Sequence, residues 1–224
     1  MPAADCEHLV EGWLGQPVNA LSSLAFVLAG IGVPLVARRR SGRREMLTWV
    51  FGFSLALGGI GSLAFHGPGG TFAGWLHDAS ISALLVLILT TELGHRAAWS
   101  AHLVVTSWAI MATTLMVVEW IRPGIGDPLN APLAFFAVLG VLGPELGRRG
   151  FRRGSERNRG RLIGAAMVGT GAIVMLLSRT GGLFCAPDAL LQGHAVWHVL
   201  AATGIGVYAV SVLPVAQSVE APEA

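Results

Sequence analysis

Residues 46–66 read MLTWVFGFSLALGGIGSLAFH. These 21 residues contain no Asp, Glu, Lys or Arg. At 1.5 Å per residue, a helix of that length crosses the roughly 30 Å of a bilayer's hydrocarbon core. Six more stretches are long and mostly apolar, near residues 17–37, 74–93, 98–118, 130–147, 161–178 and 192–213. The sequence therefore predicts an all-α membrane protein. It reads as a single seven-transmembrane-helix bundle over residues 1–214, with a polar, disordered tail at 215–224.

Composition points the same way. The chain is 53% hydrophobic and 12% charged, against roughly 25% charged residues in an ordinary soluble domain. Its 30 glycines suit close helix packing in lipid. A net charge of +2 offers no basis for binding nucleic acid. The opening MPAADCEHLVEG lacks a basic n-region and an apolar h-region, so insertion is expected to rely on the spans themselves.

All 15 basic residues are Arg. The segments 38–44 and 148–161, with Arg96, hold 13 of them on one side of the predicted bundle; Arg122 and Arg179 fall on the other. The positive-inside rule makes the Arg-rich side cytoplasmic, which puts the N-terminus outside and the C-terminus inside. We expect an integral protein of a bacterial plasma membrane. Cys6 and Cys185 both fall on the outer side, where disulfides persist; the alternative is two unrelated buried thiols.

Polar residues converge on that same outer end. Ser62 and His66 close the second span one helical turn apart. Asp78 opens the third span, and His194 and His198 open the seventh, again one turn apart. A lone His at a helix end is commonly an inert interfacial residue. Three imidazoles at one depth, with a Ser and an Asp, instead match a catalytic zinc site: three protein ligands and one open position. Other polar residues read as interfacial: Glu119 paired with Arg122 in preference to lining the pocket entrance, and Glu92, His95, His102 and Glu145 at the inner face.

The segments GSLAFH, LHD and HAVWH together resemble the alkaline ceramidase family and its wider superfamily of seven-helix membrane hydrolases. The resemblance covers the whole topology, including QPVNALSSLAF with Asn19 and Ser23 at polar positions of the first helix. It implies zinc held by His66, His194 and His198, with Asp78 and Ser62 as catalytic groups. It also implies a disulfide between Cys6 and Cys185. Only Glu7 clearly matches that family's acidic calcium pattern. Asp5 and Glu11 are the nearest substitutes, which puts calcium in doubt.

The implied activity is zinc-dependent hydrolysis of the amide of ceramide or a related N-acyl lipid, with Asp78 handling the water's proton and Ser62 facing the carbonyl oxygen. Its partners are the membrane lipid substrate and the bilayer. A second reading is a lipid-binding or receptor-like protein whose zinc is structural, closed by a fourth ligand such as His77. A third is a proton-relay transporter, disfavoured because the middle of the spans is nearly bare of polar groups.

Overall fold

A computed structural model describes residues 5–41, 46–147 and 156–212. These form eight helices: α1 (Pro17–Ser22), α2 (Leu24–Ser41), α3 (Met46–His66), α4 (Thr71–Ala97), α5 (Ala101–Ile121), α6 (Gly126–Gly147), α7 (Glu156–Leu177) and α8 (Gly193–Val212). The expected tail at 215–224, parts of both Arg-rich loops and the side chain of Glu145 lie outside the described residues.

Among the described residues, six helical stretches are long and apolar enough to cross a membrane. They are Pro17–Arg39, Met46–His66, Thr71–Ala97, Ala101–Ile121, Arg159–Leu177 and Gly193–Val212. The fifth expected span falls on α6, whose apolar stretch, Pro128–Leu142, is shorter than the rest. Apolar side chains cover the outside of the bundle: Leu28, Phe53, Ile110, Phe135 and Ile173 are each at least 60% exposed. In water such a surface would drive association; against lipid it costs nothing.

The first span is broken into α1 and α2 at Ser23. The Ser22 hydroxyl donates to the Asn19 carbonyl at 2.9 Å, and Ser23 Oγ lies 2.9 Å from the same oxygen. Such back-bonding competes with the helical ladder and bends it. The break leaves both serines inside the bundle, opposite α8.

The packing order closes a ring. α2 lies against α3, α3 against α4, α4 against α6, α6 against α7, α7 against α8, and α8 returns to α2. α5 packs on α4 from outside. The indole N–H groups of Trp75 and Trp108 pin it there, donating to the carbonyls of Met116 and Ala83 at 2.9 Å. Glycines allow the tightest approaches. A Cβ on Gly30 of α2 would stand 2.5 Å from the Gly52 carbonyl oxygen of α3; one on Gly164 of α7 would stand 2.6 Å from that of Gly204 on α8. Larger residues there would push the helices apart, which is the close-packing use of small residues.

The core near the opposite end contains Phe51, Leu55, Leu87 and Tyr208. Within it Glu92 is not interfacial: it is 2% exposed. Its carboxylate accepts from Arg161 at 2.6 Å and from the Tyr208 hydroxyl at 2.7 Å. Arg161 also donates to the Val141 carbonyl at 3.1 Å. One buried ion pair thus ties α4, α6, α7 and α8 together. Sequence position alone placed Glu92 at a helix end; the close packing of α7 brings the cation that permits its burial.

Candidate metal centre

His66, at the end of α3, meets His194 and His198, on the first turns of α8. Ligand-capable atoms of the three lie within 4.8 Å of one another. The ring centroids are 4.8 Å (His66–His194), 5.4 Å (His66–His198) and 4.6 Å (His194–His198) apart. His66 and His198 are buried.

Two of the rings are held from behind through Nδ1, and the third faces a carboxylate. His66 Nδ1 lies 2.7 Å from Gln16 Oε1. The Gln16 amide cannot be turned round without losing its other bond, from Nε2 to the Glu7 carbonyl. The oxygen therefore faces the ring, and Nδ1 carries the proton. His198 Nδ1 lies 2.8 Å from Ser22 Oγ, whose own proton goes to the Asn19 carbonyl, so this ring too donates from Nδ1. His194 Nδ1 lies 3.1 Å from Asp5 Oδ1, at ion-pair distance but without hydrogen-bond alignment.

This leaves the Nε2 lone pairs of His66 and His198 facing inward. Nε2 of His66 and both ring nitrogens of His194 are buried with no hydrogen-bond partner; Nε2 of His198 lies 3.2 Å from Ser62 Oγ. An orphaned buried acceptor is costly. Imidazoles whose Nδ1 is fixed by an outer acceptor, with Nε2 free, are set up as metal ligands. The residues fit a zinc ion.

The segment at 5–7 assembles this arrangement, one task per residue. Asp5 reaches His194 and stands 3.8 Å from His66 Nδ1. Burial raises its carboxyl, but the contact with His194 and the nearby rings of His194, His66 and His77 outweigh that and hold it below its usual range. Cys6 forms a disulfide with Cys185 across 179 residues, as expected. Glu7 caps α1: its two carboxylate oxygens accept from the backbone N–H of Val18 at 2.7 Å and Asn19 at 2.8 Å. With Pro17 at the first position and no side-chain cap from Gln16, these N–H groups need an outside acceptor.

Ser62 stands where the sequence placed it. It accepts from Ser23 Oγ at 2.8 Å, which frees its own proton for His198 or a ligand. Asp78 is a step further away. Its carboxylate pairs with His77 at 2.9 Å, outside ion-pair distance of the three imidazoles. His77 is the link: its ring lies 6.0 Å from that of His66 and stacks on Phe65. Sequence reasoning gave Asp5 no place at the metal centre, because only the folded segment brings it there. Glu119 also departs from expectation. It is 2% exposed and bonded to Ser82, not paired with Arg122.

No known family's sequence profile matches the chain, and no curated protein shows significant sequence similarity to it.

Proposed function

We propose that the protein is a zinc-dependent intramembrane hydrolase that cleaves the amide bond of ceramide or a related N-acyl lipid, in the manner of the alkaline ceramidases it resembles. The observation that carries this reading is the set of three imidazoles, two of them held at Nδ1 from behind and two with a buried, unpartnered Nε2. Bound there, zinc supplies Lewis-acid activation of water and carbonyl near neutral pH.

The remaining chemistry belongs to the chain. Ser62, accepting from Ser23, donates to the amide carbonyl oxygen as negative charge grows there. Asp78 takes the proton of the attacking water and returns it to the departing amine nitrogen, with His77 orienting its carboxylate. In this reading the site lies on the non-cytoplasmic face of a bacterial plasma membrane; the Arg distribution favours that side and the disulfide suits it.

One observation favours a second reading, a lipid-binding or receptor-like protein with a structural zinc. The Asp5 carboxylate beside His194 is placed to close the site as a fourth ligand, and closed sites are structural. Both readings are tested on protein purified without chelators. Stoichiometric zinc, with fatty acid and free amine released from an N-acyl lipid, supports the hydrolase. Zinc without turnover supports the structural site, and protein without any transition metal ends both.

A further inference from the structure

Beyond His77 and Asp78, a second polar cluster lies between α4, α5 and α6. Glu119 Oε1 accepts from Ser82 Oγ at 2.6 Å, and Ser82 Oγ also lies 2.7 Å from Asn130 Oδ1. Ser82 has one proton for two acceptors. Turning the Asn130 amide would relieve Ser82, but it leaves Glu119 Oε2 unpartnered. That oxygen belongs to a side chain 2% exposed, and an unmatched buried carboxylate oxygen is among the costliest of orphans.

Nothing among the described residues supplies an N–H or O–H to that oxygen. Asp78 stands one turn before Ser82 on the same helical face and contributes a second carboxylate. His77 is already paired with Asp78. Among the described residues no Arg side chain forms an ion pair with Glu119. Asn130 is half-buried, so the cluster opens towards the ends of the helices. A partner carrying both hydrogen-bond donors and positive charge would satisfy the unpartnered oxygen and suit the two carboxylates.

We propose that Glu119, Ser82 and Asn130 form a binding subsite for a primary ammonium group. Its three N–H bonds match Glu119 Oε2, Asn130 Oδ1 and the remaining lone pair of Ser82 Oγ. Hydrolysis of an N-acyl lipid releases such a group, so the subsite is the seat of the departing amine; this assignment alone rests on the hydrolase reading. A fully methylated ammonium carries the charge without the donors, and an alcohol of equal chain length carries a donor without the charge.

These differences define the test. Wild-type protein in lipid nanodiscs is titrated with dodecylamine, dodecyltrimethylammonium, dodecanol and calcium chloride, and thermal stabilisation is read. Dodecylamine is expected to bind at least about tenfold more tightly than either other amphiphile, since losing charge-assisted hydrogen bonds costs about 1.5–3 kcal/mol. Glu119→Gln is expected to remove that preference. Ser82→Ala, which should weaken it, serves if Glu119→Gln does not fold. Equal binding of all three amphiphiles, an unchanged preference in the folded variant, or Glu119-dependent stabilisation by calcium alone each overturns the subsite. His194→Ala separates it from the hydrolase reading. That variant should keep amine binding, and a wild-type protein that binds amines but releases none from lipid refutes only the hydrolase.

Discussion

Gln16 and His66 meet side chain to side chain across 50 residues, Oε1 to Nδ1 at 2.7 Å. Gln16 is in turn held by the Glu7 carbonyl, so the entry to α1 sets the tautomer of a residue at the end of α3. Replacing Gln16 by Met keeps much of the volume and removes the acceptor. Metal affinity should fall about 10–100-fold, the usual cost of losing an outer partner. Competition against a chelator reads this directly, and an unchanged affinity would show that the Nδ1 bond does not prepare the ligand.

Single changes of His66, His194 or His198 to Ala should remove most of the metal, because two imidazoles hold zinc poorly against water. His102→Ala is the control. That residue is exposed and lines a cavity of about 450 Å³ at the opposite end of the bundle. Metal analysis of the four purified variants should separate the triad from His102; retention in any triad variant removes that residue from the ligand set.

The triad was legible in the sequence because helical spacing suffices to align it: His194 and His198 are one turn apart, and His66 closes a neighbouring span. The disulfide was legible for a similar reason, since both cysteines flank spans on one side. Asp5 and Gln16 were not. Their place depends on how an irregular segment folds back over α3 and α8, which no periodicity encodes. Glu92 and Glu119 misled for a different reason. Both lie near helix ends, where a charge is usually solvated, but neighbouring helices close over them. Only the contacts of Arg161, Tyr208 and Ser82 show what makes that burial tolerable.

The buried pair of Glu92 and Arg161 should behave asymmetrically. Glu92→Ala strands an Arg that is 6% exposed, and should cost about 3–5 kcal/mol. Tyr208→Phe removes one hydrogen bond to the carboxylate and should cost about 1.5–3 kcal/mol. Converting both Glu92 and Arg161 to Met should cost less than Glu92→Ala alone, because no charge is then left unmatched. Reversible unfolding in mixed micelles orders the three. If the double variant is the least stable, the pair contributes more than mutual neutralisation.

Asp5 and Asp78 compete for the part of the carboxylate that matters at the metal centre, and the disulfide decides how firmly Asp5 is held. If zinc is structural and Asp5 closes its coordination, Asp5→Asn should release metal as a histidine variant does. If the fourth position is open, Asp5→Asn should keep most of the metal, weakened about 10–100-fold through the loss of a charged partner for His194. Asp78→Asn should then keep the metal fully and abolish lipid hydrolysis, since an amide cannot accept the water's proton. Cys6→Ser should mimic Asp5→Asn at the metal while also lowering stability by about 2–5 kcal/mol, because it frees the segment next to Asp5 and opens a 179-residue closure. Unreduced wild-type protein should show no reactive thiol on denaturation. Zinc content and turnover, measured together on these three variants, assign the carboxylates. Turnover that survives Asp78→Asn but not Asp5→Asn would transfer the proton-handling task to the residue beside the disulfide.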